Sequence, residues 1–426
     1  MRAHKRQLAR EMERNQMKTL RMQKLLSVML CLVMVAGTVA LAADGTDKEE
    51  QKWYDKLDFF GDFRLRYEGF DWGESVNGGH YDDGERHRMR YRLRLNLTTE
   101  ITSNVKLGFE LRSGNPQNPI SDNRSFDDGF DKDAISIAQA YALWDATPWL
   151  SVIGGKFSPS KLWTVADLEY DSDLTTEGAM EMFQWKSGGV VKQVDLNLYQ
   201  FVMNESGDST DSYMLGGQVV PVFNLGKKNS LAVGVGFESY QNPSDVAGLY
   251  FKDKLTIDAG YVTNLVDPTT KQLISEFRIG TVFAEWSNKS FKRWPIKVKA
   301  YYYKNFGAED AVGSILPVDA GDPVLAVANG ADNDTAYFAR VEAGGYKKSG
   351  QVQVRFTYYY SEPDAIFFAY AQSDTRRASD LNGYRTDVRI GMPKRGNVNV
   401  TWYRTEWNVG EDTVMDRWQV DYIFRF

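Results

Sequence analysis

Five arginines recur at every second position of one short segment, and guanidinium groups in such a row can bind anions and orient polar solutes. The segment reads RHRMRYRLRLNLTTE, from Arg86 to Glu100. Mostly apolar residues stand between the arginines, so the period of two predicts a β-strand with one basic and one apolar face. Neighbouring arginines on such a face lie roughly 6.6 Å apart. Their repulsion is about 0.6 kcal/mol in water and more than about 10 kcal/mol in dry protein, which excludes a dry core. The row consists of Arg86, Arg88, Arg90, Arg92 and Arg94.

The same alternation of apolar and polar residues recurs along most of the chain. Helical periodicity is confined to a short stretch at 46–56. An all-β protein with antiparallel strands is therefore predicted. The clearest alternating segments are 57–67, 105–111, 231–237, 296–302 and 352–360.

The links between these segments alternate between short and long. Seven short and eight long links predict sixteen strands, with both ends of the strand series on the short-turn side. Residues 251–265 also alternate, but counting them as a strand would place the next long loop on the wrong side. We therefore assign them to a long loop, and eighteen strands is the alternative. The short links lie at 102–104, 147–148, 187–189, 225–229, 287–293, 347–350 and 393–396. The long links lie at 71–85, 115–133, 158–176, 204–211, 241–272, 307–334, 363–383 and 409–415.

Aromatic residues near the strand ends indicate what covers the apolar face. Transmembrane barrels carry aromatic girdles at both membrane interfaces. A sheet in hydrocarbon must also close, because an open edge would leave backbone groups unpaired. The mean hydropathy of −0.45 fits such a barrel, since half of each strand is polar. A secreted soluble β-sandwich is the alternative. The candidate girdle residues are Tyr301–Tyr303, Tyr358–Tyr360, Trp402, Trp407 and Trp418.

The basic face is predicted to look into the barrel. Each arginine facing lipid near the bilayer midplane would cost about 2 to 4 kcal/mol. A sixteen-strand barrel is wide enough to hold an aqueous lumen instead. Two arginines of the preceding segment join the same wall. The predicted pore-lining basic residues are Arg64, Arg66, Arg88, Arg90, Arg92 and Arg94.

The first 42 residues have the pattern of a secretory signal peptide. Basic residues precede an apolar run from Leu25 to Leu41, and a small-x-small site ends at Ala42. Translation could also begin at Met17 or Met22. Removal of residues 1–42 takes away the single cysteine, Cys31, and changes the net charge from −6 to −12. This charge argues against a nucleic-acid partner. A short periplasmic segment, 43–56, would then precede a barrel spanning 57–426.

The last strand is the most specific single signal in the chain. In RWQVDYIFRF the aromatic residues alternate to a terminal phenylalanine, and this looks like the signal that the barrel-assembly machinery reads in outer-membrane proteins. The aromatic residues of this signal are Trp418, Tyr422, Phe424 and Phe426. Together with GDFRLRYEGF, LISEFRIGTVFAEW and PIKVKAYYYKNFGA, it makes the chain resemble the putative porin family of Gram-negative outer membranes.

The resemblance implies a role for the third long loop. In general porins this loop folds into the barrel and faces a basic wall with its carboxylates. The corresponding loop here, near 158–176, contains VADLEYDSDLTTEG. We therefore expect it to form an acidic constriction opposite Arg88 to Arg94, although solvated carboxylates on an outer loop are an equal alternative. The candidate acidic residues are Asp167, Glu169, Asp171 and Asp173.

Three functions remain open from the sequence. The first is a passive porin in the outer membrane for small hydrophilic solutes and ions. The resemblance to porins implies that it lies in outer-membrane lipid, with a homotrimer as the candidate assembly. The second is a selective channel for anions such as phosphate or for sugars. The third is a non-conducting barrel that acts as an enzyme or adhesin. His80 and His87 have no triad setting, and Asp127–Asp133 lacks the spacing of a known calcium loop, so we expect no enzyme activity, cofactor or metal.

Overall fold

The structure, a computed structural model, describes most of the predicted barrel region. The predicted signal peptide and nearly all of the segment 43–56 lie outside the described residues. Within the described residues, no helix is both long and apolar enough to cross a membrane. The described ranges are 56–72, 85–130, 132–207, 210–256, 261–318, 324–375, 378–393, 395–409 and 414–426.

Sixteen strands of the described chain form one closed antiparallel barrel. Each barrel strand pairs with the next barrel strand along the chain. The first strand closes the barrel because it pairs with both the second and the last. The predicted all-β, sixteen-strand architecture is confirmed. The barrel strands are β1 (Leu57–Trp72), β2 (Glu85–Thr102), β3 (Val105–Arg112), β5 (Ser136–Thr147), β6 (Leu150–Phe157), β7 (Thr176–Lys186), β8 (Val191–Asn204), β9 (Ser212–Asn224), β10 (Asn229–Gln241), β12 (Arg278–Asn288), β13 (Ile296–Asn305), β16 (Thr335–Gly344), β17 (Val352–Ser361), β18 (Leu381–Gly391), β19 (Asn397–Glu406) and β20 (Val414–Arg425).

Four further strands and one α-helix lie in the long loops. Strand β4 (Arg124–Ser125) pairs with β2, and α1 spans Pro243–Phe251. The strands β11 (Tyr261–Val266), β14 (Val312–Pro317) and β15 (Ala326–Asn329) form a separate three-stranded sheet. The described residues of the segment 251–265 therefore contribute to loop structure and not to the barrel wall, as predicted, and the barrel has sixteen strands rather than eighteen.

Side chains alternate between the lipid-facing exterior and the interior along each barrel strand. In β2, Arg90 and Arg92 are 4% and 6% exposed, whereas Met89 between the basic positions is 41% exposed. The pleat of the strand places successive side chains on opposite faces, which gives this pattern. The exterior is rich in apolar and aromatic residues, including Phe59, Val235, Phe356 and Trp418.

The interior wall has an aromatic half and an arginine half. Residues of β8, β10 and β13, such as Tyr199, Tyr240 and Tyr303, are buried inside the barrel. Loop 158–175 packs on this half, where the Trp163 and Tyr199 ring centroids are 3.9 Å apart. Loop 362–380 packs there as well through Phe367. The opposite half of the wall is formed by β16–β20 and β1–β3. It lines the part of the barrel interior that these two loops do not fill.

Part of the predicted aromatic girdle faces inward. Tyr301, Tyr303 and Tyr359 are buried in the interior, whereas their neighbours Tyr302 and Tyr358 lie on the outer face. Consecutive residues of a strand cannot share a face, so runs of three tyrosines must be divided between girdle and interior. The interior members pack on one another, with the Phe283 and Tyr301 ring centroids 4.9 Å apart.

The long loops on the outer side are folded together. The Asn264 side chain in β11 donates a hydrogen bond to the Ile366 carbonyl at 2.8 Å. The buried Asp364 accepts hydrogen bonds from the Leu265 amide at 2.8 Å and the Ser275 hydroxyl at 2.6 Å. Burial raises the pKa of Asp364 to about 7. These contacts tie loops 242–277 and 362–380 into one unit above the barrel.

Candidate functional site

A buried carboxylate organises the outer part of the arginine wall. Glu68 of β1 is fully buried and accepts a hydrogen bond from Arg417 of β20 at 2.7 Å. Arg88 and Arg90 of β2 also pair with it, the latter at 3.4 Å. Strand β1 lies between β2 and β20, so inward-facing residues at one level of the three strands meet. Glu68 thereby neutralises part of the positive charge of three arginines.

The deeper part of the row contacts the third long loop through one residue. Arg92 reaches Asp62 of β1 at 3.0 Å and Asp173 of loop 158–175 at 3.1 Å. Arg94 reaches the same two carboxylates. Burial opposes ionisation, but the guanidinium groups of Arg92 and Arg94 hold the pKa of Asp173 well below its usual range. Asp173 is therefore an ionised carboxylate in direct contact with the arginine wall.

The two arginines of β1 differ in how fully they are paired. Arg66 binds Asp421 of β20 at 2.6 Å and Asp374 of loop 362–380 at 3.3 Å. Arg64 lies 3.9 Å from Asp421, and it donates one hydrogen bond to Asn123 of loop 113–135. Its buried Nε atom has no hydrogen-bond partner in the described structure. Arg64 thus keeps donor capacity that other groups in the wall do not use.

The four predicted acidic residues of the third long loop are divided among different surroundings. Asp173 alone contacts the row Arg88 to Arg94. Asp167 binds Arg340 of β16 at 2.6 Å and Arg385 of β18 at 3.5 Å. Asp171 accepts a hydrogen bond from the Ser373 hydroxyl at 2.8 Å, so it joins this loop to loop 362–380. The fourth residue, Glu169, contacts the aromatic half of the wall.

Glu169 lies in a buried cluster of carboxyl and phenol groups. Its neighbour Glu238 of β10 accepts hydrogen bonds from Tyr199 at 2.7 Å, from Tyr170 and from Tyr240 at 3.1 Å. Burial and then the Glu238 carboxyl raise the pKa of Glu169 well above its ordinary value. Two such carboxyls cannot easily both ionise at close range, so the pair retains a proton to a higher pH than an ordinary carboxyl does. The cluster attaches the loop to the wall opposite the arginines.

This attachment should weaken as the pH rises. The docked loop keeps Glu169 neutral, whereas an undocked loop would ionise it above about pH 4.3. Docking therefore loses free energy as the pH increases above that value, until the raised pKa is reached. A spin label at Ser172→Cys should become more mobile as the pH rises above about 4.3. With Glu169→Gln the pH response should become smaller, because glutamine does not titrate. It should not vanish, since burial also raises the pKa of Asp171 in the same loop well above its ordinary value. The same response in both proteins would contradict the role of Glu169.

Arginines of four later strands, β16, β17, β18 and β20, complete the wall, and the sequence prediction did not include them. Arg355 of β17 binds Asp387 of β18 at 2.8 Å, and Arg385 binds the same carboxylate at 2.8 Å. Arg389 lies two positions after Asp387, and its guanidinium is 5.2 Å from the Tyr346 ring centroid. The alternation in GYRTDVRIG carried the signal, since these charges recur at every second position as in β2.

Two cavities lie along the arginine row. An outer cavity of about 240 Å³ is lined by Arg86, Arg88 and Arg90. An inner cavity of about 490 Å³ is lined by Arg92 and Arg94 together with arginines of β1, β16, β17, β18 and β20. Asn123 lies between them, because it lines the outer cavity and bonds to Arg64, which lines the inner one. Loop 113–135 therefore also reaches the arginine wall.

The predicted assembly-signal residues all lie on the outer face of the last strand. Trp418, Tyr422, Phe424 and Phe426 are exposed on that face. The terminal residue also completes the sheet, since the Gly61 amide donates to the Phe426 carbonyl at 3.0 Å. Whether the assembly machinery reads this strand stays a prediction.

The predicted histidine and acidic-loop sites show ordinary polar contacts where they are described. His87 lies on the outer face, with its Nδ1 atom 2.9 Å from the Tyr67 hydroxyl. Asp133 pairs with Arg124. His80 and Asp131 lie outside the described residues.

A closed barrel with an apolar exterior and a charged interior is the architecture of an outer-membrane channel. The family model described as "Putative porin" matches residues 80–249 and 258–426. The chain therefore belongs to this porin family, and the resemblance seen in the sequence is confirmed. No curated protein sequence matches the chain.

Solved porins share the fold at low sequence identity. OprB of Pseudomonas putida is 10% identical, with a TM-score of 0.52 over 87% of this chain and 95% of that one. OmpF of Salmonella typhi is 11% identical, with a TM-score of 0.49 over 87% and 97%. The outer membrane channel DcaP of Acinetobacter baumannii is 12% identical, with a TM-score of 0.46 over 87% and 97%. The similarity to OprB supports the fold alone.

Proposed function

We propose that this porin forms a water-filled channel for passive diffusion of small hydrophilic solutes and ions. The observation that carries the proposal is the contrast between an apolar barrel exterior and an interior lined by arginines around a cavity of about 490 Å³. Charged groups at this density require water or counterions. A lumen that admits water would supply both, and polar solutes could use the same space.

Loop 158–175 is proposed as the constriction. Its attachment to the aromatic half of the wall supports this role, because the loop then extends inward and brings Asp173 and Asp167 to the arginine half. The carboxylates neutralise individual arginines by direct contact instead of facing them across an open gap. Solutes would pass beside these pairs, where the remaining positive charge orients them.

A selective channel for anions or sugars is the second candidate, and the number of arginines around the inner cavity favours anions. An enzyme or adhesin is the third candidate. Among the described residues we find no arrangement of nucleophile, base and orienting group that favours catalysis.

Planar-bilayer recording tests the proposal directly. The purified barrel should give discrete conductance steps in potassium chloride, because a water-filled lumen conducts ions. The same preparation after heat unfolding is the control and should give none. Absence of steps from a folded barrel would contradict both channel functions and leave the enzyme or adhesin.

Export and assembly are part of the same proposal. We infer that residues 1–42 direct export to the periplasm and are then removed, and that the barrel-assembly machinery reads the terminal strand before insertion into the outer membrane. The outward aromatic residues of β20 support the second inference. A homotrimer is proposed from the porin fold, and cross-linking in native membranes would test it.

A further inference from the structure

The inner cavity has more positive than negative charge around it. Nine arginines line it. Among the described residues, six aspartates and Glu68 lie within 4.0 Å of these arginines. Glu68 also pairs with Arg88, Arg90 and Arg417, which do not line the cavity. At least two positive charges therefore lack a partner within the described wall.

Three of the cavity-lining arginines have no carboxylate closer than 3.9 Å among the described residues. One of them, Arg425, donates hydrogen bonds to the Arg395 carbonyl and the Asn397 side chain. The other two lie at separated places. On one side, the Asp421 carboxylate lies 3.9 Å from the Arg64 guanidinium, whose one hydrogen bond goes to Asn123. On the other side, Arg389 has no carboxylate within 4.0 Å among the described residues, and its guanidinium lies 5.2 Å from the Tyr346 ring centroid. Both arginines line the same cavity. Guanidinium donors in this state are suited to bind carboxylate oxygens.

The strand register gives the separation of the two places. Arg389 of β18 is opposite Asn399 of β19, Asn399 is opposite Asp421 of β20, and Asp421 is opposite Arg66 of β1. Arg389 and Arg66 are thus three strands apart along the hydrogen-bonding direction of the sheet. Three strand spacings correspond to about 14 Å along the wall. Two long side chains that point inward from these positions leave space for a small solute between them.

We propose that the inner cavity is a binding site for small dicarboxylates, with one carboxylate at Arg64 and Arg66 and the other at Arg389 and Arg355. Two positive charges match the charge of a dianion. Because the two arginine groups are separated, they suit a molecule with an anionic group at each end better than a compact dianion. This site rests on the proposed channel function and gives it a substrate class.

Succinate, butyrate and inorganic phosphate are the probes. Succinate and butyrate have the same chain length but two carboxylates and one, and phosphate is a compact anion. Succinate should block single-channel current at concentrations at least about tenfold lower than either of the others, because it alone reaches both arginine groups. Titration calorimetry of the detergent-solubilised barrel measures the same binding without requiring conduction.

Arg389→Gln should weaken succinate binding by about tenfold, because one charge-assisted contact is lost. Arg389→Lys should have a succinate affinity between those of the unaltered protein and Arg389→Gln. Lysine keeps the positive charge but lacks the two parallel N–H donors of a guanidinium group. The matched control is Arg404→Gln in β19, whose side chain is 49% exposed and pairs with Asp416 away from the cavity. Each variant is first checked for folding by heat-modifiable gel migration.

The results separate this site from the channel function. A conducting barrel that binds succinate no better than butyrate, or binds phosphate equally well, would overturn the site and leave the porin intact. Equal losses in Arg389→Gln and Arg404→Gln would also overturn it. A folded barrel that binds succinate without conducting would support the site and contradict the channel.

Discussion

Glu68→Gln is expected to destabilise the barrel by about 3 to 5 kcal/mol, the usual cost of removing one partner from a buried ion pair. Glu68 is fully buried and pairs with arginines of two neighbouring strands. Glutamine keeps the shape of the side chain but leaves Arg88, Arg90 and Arg417 without this negative charge. Urea unfolding in detergent, followed by tryptophan fluorescence, measures the loss.

Glu100→Gln is the matched control for this substitution. Glu100 lies in β2, and its side chain is 63% exposed where it pairs with Lys106. An exposed pair contributes little to stability because water screens its charges, so the control should unfold almost like the unaltered protein. If both variants lose similarly little stability, water inside the barrel already solvates the arginines, and the central role of Glu68 is wrong.

Asp173→Asn is expected to shift the ion selectivity of the channel strongly toward anions. Asp173 is the one acidic residue of loop 158–175 that contacts Arg92 and Arg94. Removing a unit negative charge about 7 Å from a passing ion changes the energy of that ion by about 0.6 kcal/mol in water. The local concentration of anions should therefore rise about threefold, and that of cations should fall about threefold. Reversal potentials in a potassium chloride gradient measure the shift.

The pH sharpens this test because a second carboxyl responds to the substitution. Burial and then the Asp173 carboxylate raise the pKa of Asp122, in loop 113–135, to about 7. In Asp173→Asn this pKa should fall, so Asp122 would ionise and partly replace the missing charge near pH 6. Near pH 9 Asp122 is ionised in both proteins, and the full selectivity shift should appear there.

Asp171→Asn is the control in the same loop. Asp171 accepts hydrogen bonds from Ser373 and contacts none of the row Arg88 to Arg94 in the described structure. It should change selectivity far less than Asp173→Asn. Equal shifts in both variants, or no shift near pH 9 in Asp173→Asn, would contradict a constriction between this loop and the arginine wall.

The two-residue period predicted which side chains of the wall point inward. Arg90 and Arg92 are buried and Met89 is exposed because the pleat alone assigns alternate residues to opposite faces. The pleat also divides Tyr301 and Tyr302 between the interior and the outer face. The spacing between the alternating segments predicted the short turns and the long loops. These features depend only on neighbours along the chain.

The partners of the arginines could not be predicted in this way. Arg66 binds Asp374, which is distant in sequence and lies in a different loop. Only the folded path of loop 362–380 brings the two together. Likewise, nothing local distinguishes Glu169, which enters a carboxyl–tyrosine cluster, from Asp173, which reaches Arg92. Residues two positions apart in an irregular loop follow no fixed periodicity, so their surroundings depend on packing.

The sequence by itself determined a sixteen-strand barrel and its inward basic face, because strand periodicity and turn spacing are local properties of the chain. Its short motifs carried the resemblance to the porin family. The tertiary structure alone decided that loops 113–135, 158–175 and 362–380 all reach the arginine wall. It also decided that arginines of β16, β17, β18 and β20 complete that wall opposite an aromatic half. These arrangements arise from closure of the barrel and docking of the loops, which bring together charges that are far apart in sequence.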